Sequence, residues 1–202
     1  MKKNIILCVM FSMGILFNAC EDSLNLSSGN DIDENTLRNI ESMDKASYAG
    51  LENVFLDSKT IDTNGKTMLL IFGKNNCPYC DKLKDDIKAS APLQEILTKD
   101  FSAYYINIDY SKLHHLTQFL GRSEPTQMTT LEIAKVYKIR PTPTLVFFDS
   151  MGIPFFQYPG YLRPKEFDLV LNLAKEHKFV QTDSISAISQ QIMQALESSA
   201  AQ

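Results

Sequence analysis

The most constraining feature of this chain is a pair of cysteines, Cys77-Pro78-Tyr79-Cys80, set directly behind the apolar run Met68 to Phe72. A continuous apolar run suits a central strand covered on both faces, and Gly73 to Asn76 gives the short loop that leaves it. A helix then opens at Pro78, because proline at the first helical position has a preset φ and lacks only an N–H that would have no acceptor there. That spacing places Cys77 at the helix N-terminus, where unpaired backbone N–H groups and the helix dipole favour a thiolate. Cys80 falls one turn on and on the same face, close enough to close a disulfide. A second feature, Thr142-Pro143-Thr144 just ahead of the apolar run Leu145 to Phe148, marks a turn that feeds another strand.

The N-terminus reads as a targeting segment. Lys2-Lys3 form a short positive region and Ile5 to Phe17 an apolar stretch of 13 residues, shorter than the roughly 20 needed to span a bilayer and suited to a signal peptide. The stretch ends in Leu16-Phe17-Asn18-Ala19-Cys20. This is similar to a bacterial lipobox, with cleavage after Ala19 and lipid on Cys20, although Phe17 stands where leucine is commonest. An ordinary signal-peptidase site fits less well, since it wants a small residue at that position. The expected organisation is a lipoprotein-type signal peptide over 1–19 and a polar tether over 20–33. A core domain with an N-terminal helical extension follows over 34–180, then a C-terminal amphipathic helix over 181–202.

Processing sharpens the cysteine count. Cys8 leaves with the signal segment and a lipidated Cys20 is blocked as a thioether, so Cys77 and Cys80 are the two remaining thiols. An exported chain whose cysteines sit in one C-x-x-C has no structural disulfide framework. The net charge of −4 includes Lys2 and Lys3; such a mildly acidic chain, with no basic block, gives no sign of nucleic-acid binding. A zinc site would need His114, His115 or His177, but adjacent histidines rarely both ligate and the spacing fits no finger. Haem attachment needs a histidine after Cys80, where Asp81 stands. No cofactor or metal is expected, and His114-His115 is expected in an exposed helix or loop.

Along the chain, Glu34 to Leu56 carries apolar residues at helical spacing and reads as one or two helices. Asp57 to Lys66 reads as a loop, Thr67 to Phe72 as a strand, Pro78 to Ala89 as a helix, and Pro92 to Lys99 as a second helical piece. Phe101 to Asp109 is the next strand. The insert Tyr110 to Met128 is expected to be partly helical near Leu113 to Leu120. Thr129-x-x-Glu132 is a capping box opening a helix to Tyr137. Thr144 to Asp149 and Pro154 to Tyr158 form a hairpin about a turn at Ser150 to Gly152. Pro164 begins a helix, and Ile185, Ile188, Ile192 and Leu196 mark a last amphipathic one.

The segment LLIFGKNNCPYCDKLKDDI resembles the active-site region of bacterial thioredoxin-like proteins of the SoxW type, as do FSAYYINID, TLEIAKVYKIRPTPTLVFFDSMG and YPGYLRPKEFDLVL, in order over about residues 67–175. The resemblance implies an α/β chain with the thioredoxin fold: a central mixed sheet flanked by helices, here with an N-terminal helical extension and an extra C-terminal helix. It implies a thiol:disulfide oxidoreductase in which Cys77 attacks and Cys80 resolves. Pro143 would be a cis-proline facing the disulfide, and Thr142 would offer its backbone to a substrate peptide. Pro78 and Tyr79, between the cysteines, would help set the potential. C-P-Y-C is also a glutaredoxin pattern, which goes with about −200 to −230 mV.

The implied partners are disulfide-containing envelope proteins, a membrane electron donor of the DsbD or CcdA type, and the membrane itself through the lipid anchor, with a location in the bacterial periplasm. The chain departs from ordinary thioredoxin at the buried aspartate six residues before the attacking cysteine, where Ile71 stands, and at its lysine partner, near Tyr105. The proton-transfer helper for Cys80 is left open among Lys74, Asp81 and a water. An oxidase or isomerase, and a binding lipoprotein using the scaffold without catalysis, are the alternative readings. Fold alone does not separate them, whereas an intact dithiol favours the enzyme.

Overall fold

The computed structural model describes residues 33–119, 124–181 and 184–200. The expected signal segment and Cys20 lie outside the described residues, as does the tether up to residue 32. A four-stranded sheet organises the rest. Its strands are β2 (Thr67–Gly73), β3 (Phe101–Asn107), β6 (Thr144–Phe148) and β7 (Pro154–Pro159), in the order β3-β2-β6-β7. β2 runs parallel to β3 and antiparallel to β6, and β6 runs antiparallel to β7. β2 and β3 are buried along their whole lengths, the reason their sequences show little polar alternation.

Successive side chains of these strands feed two cores. Leu69, Ile71, Ala103, Tyr105, Leu145 and Phe147 enter one core. It is closed by helices α2 (Pro78–Ala89), α3 (Ala91–Asp100), α5 (Pro164–Ala174) and α6 (Ile185–Ala200). Met68, Leu70, Phe72, Tyr104, Val146 and Phe148 enter the other, against Ile133 and Tyr137 from α4 (Thr130–Val136) and its C-cap. The capping box at Thr129 and Glu132 is formed. The last helix packs as its spacing predicts, with Ile192 and Leu196 buried. At the hairpin turn, Gly152 has φ +74°, and a Cβ there would fall 2.4 Å from the Gln118 carbonyl oxygen, so a side chain is excluded both by conformation and by space.

Three expectations are corrected. The insert carries no helix near Leu113; it forms β4 (Leu113–Leu116), antiparallel to β5 (Thr126–Thr129) and parallel to the short β1 (Thr60–Ile61), within the stretch read as loop. The burial of β4 alternates, with Leu113 exposed and His114 and Leu116 buried. His114 is therefore a buried strand residue and only His115 is exposed. The apolar pattern hid this strand because a histidine occupies an inward position. In the N-terminal extension, α1 (Glu34–Ala46) is one helix followed by turns, and its Leu37 and Met43 stay exposed.

α1 is instead held by a buried polar cluster. The Lys112 Nζ lies 3.0 Å from the Asp44 carboxylate and 3.1 Å from that of Asp57, and donates to the Ser58 hydroxyl. His114 sits beside them. The Ser58 carbonyl, 2.6 Å from Nδ1, makes that nitrogen the donor, and Nε2 then accepts from the Thr130 hydroxyl at 2.9 Å. Burial, aided by Lys112, pushes the His114 ring below its ordinary value, although the Ser58 hydrogen bond and the carboxylates of Asp44 and Asp57 oppose this. As pH falls, the unfolded histidine, which titrates near 6.5, takes up a proton before the folded one. The stability tied to this ring is therefore complete above about pH 6.5 and is lost as pH falls from there toward the depressed folded value. Urea unfolding at pH 7.5 and 5.5 should show the loss, and His114→Gln, which has no titration in this range, should reduce it, leaving the part due to His177, whose ring burial also pushes down.

Candidate functional site

β2 ends at Gly73, and the loop to Cys77 is pinned to the end of β3. The Ile108 amide donates to the Gly73 carbonyl, the Asn75 amide to Asp109, and the Asn107 side chain to Asn75 Oδ1. Asn76 turns the chain with φ 52°, a conformation asparagine tolerates. The chain then enters α2 with Cys77 as the N-cap and Pro78 in the first turn, as the sequence predicts.

Cys77 and Cys80 are joined as a disulfide, their Cα atoms 5.2 Å apart. The Cys77 Sγ accepts from the Cys80 amide at 3.2 Å, so the sulfur itself caps the helix. In that position a negative charge is met by an N–H and by the positive end of the helix dipole. The two cysteines differ in access: Cys77 is 4% exposed and Cys80 0%. Tyr79 projects outward, 62% exposed, and stacks on Tyr161 with ring centroids 5.9 Å apart.

The Thr142–Pro143 peptide is cis. The Thr142 carbonyl oxygen and its hydroxyl each lie 3.4 Å from the Cys77 Sγ. The hydroxyl can donate to a Cys77 thiolate, while the carbonyl can receive the proton of a thiol. Pro143 is buried, and its carbonyl accepts from the Gly160 amide at 2.8 Å, fastening the turn to the end of β7. The structure thus brings together Cys77, Cys80 and Thr142, with Pro143 next in the chain and Pro78 and Tyr79 capping the outer side.

Tyr161 is a site residue that sequence reasoning did not assign, although it stands in the Tyr158-Pro159-Gly160-Tyr161 run. Its hydroxyl donates to Asp86, and the Lys82 ammonium lies 5.4 Å from its ring. Burial and the neighbouring Asp86 carboxylate raise its phenol above the ordinary range.

The departures from the thioredoxin pattern fall in one place. Ile71 and Tyr105 are cross-strand partners between β2 and β3. Both are fully enclosed, and among the described residues the Tyr105 hydroxyl has no hydrogen-bond partner. Its burial raises the phenol well above its ordinary value. That hydroxyl occupies the space over Gly73, where a Cβ would fall 1.9 Å from it, so glycine ends β2 to leave the ring its room. Asp81 pairs with Lys84 at 3.0 Å, and Lys84 lies 5.5 Å from the Tyr105 ring. No hydrogen bond among the described residues joins Lys74 or Asp81 to either sulfur.

A disulfide-bonded C-x-x-C at a helix N-terminus, faced by the Thr142–Pro143 turn ahead of the adjoining strand, fits a redox C-x-x-C site on a thioredoxin-like sheet. The chain belongs to the thioredoxin-like domain family, whose model matches residues 54–175. A thioredoxin-fold protein from Helicobacter pylori is similar at 36% identity, over 77% of this chain and 99% of that one, with a TM-score of 0.67. A thioredoxin from Thermus thermophilus shares 19% identity over 54% of this chain and 72% of its own, with a TM-score of 0.41. A disulphide isomerase from Xylella fastidiosa shares 18% over 86% and 98%, with a TM-score of 0.34. No curated protein matches the chain. Among the described residues no helix is long and apolar enough to cross a membrane.

Proposed function

We propose that this chain is a thiol:disulfide oxidoreductase of the bacterial cell envelope, of the SoxW type, anchored by lipid on Cys20 and working mainly as a reductant of protein disulfides. The observation that carries the reading is the Cys77–Cys80 disulfide, with Cys77 at the N-cap of α2 and its sulfur against Thr142. In the reduced protein, the Cys77 thiolate attacks one sulfur of a substrate disulfide. A mixed disulfide forms and the other substrate sulfur leaves as a thiolate. Cys80 gives up its proton and attacks the Cys77 Sγ. The second substrate thiolate leaves, and the Cys77–Cys80 bond closes. Two electrons have moved to the substrate. Thr142, at the turn, offers backbone groups to the substrate chain.

A dithiol in an oxidising compartment must be recharged, and a membrane donor of the DsbD or CcdA type would supply the electrons. The lipid anchor supports this by keeping the domain near such a donor. The substrates we propose are disulfide-containing envelope proteins of cytochrome c maturation or sulfur metabolism. With proline and tyrosine between the cysteines, the potential should lie between about −270 mV for thioredoxin and about −180 mV for protein disulfide isomerase.

Insulin reduction tests the activity: the wild type should reduce insulin and Cys77→Ser should not. Equal rates for the two would leave a binding scaffold instead. Acid quench and thiol alkylation in cells, with and without the membrane donor, tests direction. A pair found oxidised in both backgrounds, with a potential near the roughly −120 mV of a strong oxidant, would make the protein an oxidase. The anchor is tested by detergent partitioning, and Cys20→Ala should leave an unprocessed precursor.

A further inference from the structure

Beside the redox turn lies a groove of about 520 Å³. Its floor is apolar, made by Ile108 at the end of β3, Leu131 and Ala134 on α4, and Ile139. Its rim is cationic: Lys135, Lys138 and Arg140. All three rim residues are exposed, and none has a carboxylate within ion-pair distance among the described residues. Most other cations of the fold are matched: Lys45, Lys59, Lys82, Lys84, Lys88, Lys99, Lys112 and Arg163 each face a carboxylate. The nearby acids are already engaged. Glu132 is bound into the capping box and Asp109 receives the Asn75 amide. Leu131, 58% exposed, leaves an apolar side chain in water at the same place.

We infer that this groove receives the part of a substrate polypeptide next to its reactive cysteine, and that it selects segments carrying acidic and apolar residues there. The inference rests on the oxidoreductase reading above. The groove adjoins the redox turn along the chain: its rim residue Arg140 is two residues before Thr142, whose carbonyl lies 3.4 Å from the Cys77 sulfur. Because the rim leads into the turn that faces the Cys77 sulfur, the occupant we assign is peptide rather than a free anion. An apolar floor with unpaired cations around it complements an apolar side chain flanked by carboxylates. The rest of the protein is net acidic and repels such a segment, so the local cations guide both approach and register.

The test uses reduced protein and two peptides of equal length, each with one cysteine capped by a small uncharged thiol. One has Asp and Leu beside the cysteine, and the other has Lys and Leu. Rates on each are divided by the same protein's rate on 2-hydroxyethyl disulfide. The wild type should favour the acidic peptide about tenfold or more at low ionic strength, and the preference should shrink as salt is added. The variant Lys135→Glu/Arg140→Glu should reverse the preference, a result that misfolding cannot produce; Lys138 is left in place because its φ is 50°. Equal rates on the two peptides, or a preference that the variant leaves intact, would overturn the inference while leaving the redox activity standing. Failure to reduce even 2-hydroxyethyl disulfide would sink both the groove and the oxidoreductase reading.

Discussion

Limited alkylation of the reduced protein at mildly acidic pH should label Cys77 and leave Cys80 untouched. A free thiol titrates near 8.5, and a thiol at a helix N-terminus falls into the range of about 3.5 to 7.5. Cys77 occupies that terminus as the N-cap, with the Cys80 amide aimed at its sulfur and the Thr142 hydroxyl within reach. Cys80 sits one turn inside α2 and is wholly enclosed, where burial penalises a thiolate. Access and charge therefore favour the same sulfur. Cys77→Ser should bring disulfide exchange down to the uncatalysed rate, because serine offers no thiolate. Cys80→Ser should still attack but not resolve, so mixed disulfides with substrate should accumulate and be visible on non-reducing gels. Preferential labelling of Cys80, or adducts trapped by Cys77→Ser, would reverse the assignment.

The redox half of the molecule is written in local signals. Helix α2 begins and ends where Pro78 and Ala89 predict, and the Thr129/Glu132 box locates the start of α4, because a cap or a terminal proline acts within one turn. The strands β2 and β6 announce themselves by continuous apolar runs, and β3 by a mostly apolar one broken by Ser102. The smaller sheet does not. β4 turns His114 inward, so its alternation reads as polar from the sequence, and β1 is only two residues long. The groove was equally hidden, since it is assembled from Ile108 just past β3, from α4 and from the turn beyond it. Tyr161 meets Tyr79 across a long sequence separation. Such pairings are set by topology, which no window of a single sequence contains.

The Lys112–Asp44 pair is the clearest of these long-range features, 68 positions apart and almost without solvent, and its disruption should give the largest loss of stability. Lys112→Met keeps the length of the stem but removes the ammonium. Asp57 is half-exposed and retains Lys45 at 3.0 Å, so it is not orphaned. Among the described residues Asp44 keeps only the Ser58 hydroxyl, at 3.2 Å, as its side-chain donor. A buried carboxylate left without its counter-charge costs about 3–5 kcal/mol, which for a domain of this size lowers Tm by roughly 6–20 °C. The pair itself is a different matter, because desolvating both ions offsets most of their attraction. The double variant Asp44→Asn/Lys112→Met should therefore be clearly more stable than Lys112→Met alone, with strong coupling between the two sites. Urea midpoints for the wild type, both single variants and the double variant measure this. Additive losses would mean that the cluster contributes packing rather than charge pairing. The insulin-reduction rate of Lys112→Met, measured well below its melting temperature, should stay close to that of the wild type, since the cluster anchors α1 and β4 and touches neither sulfur.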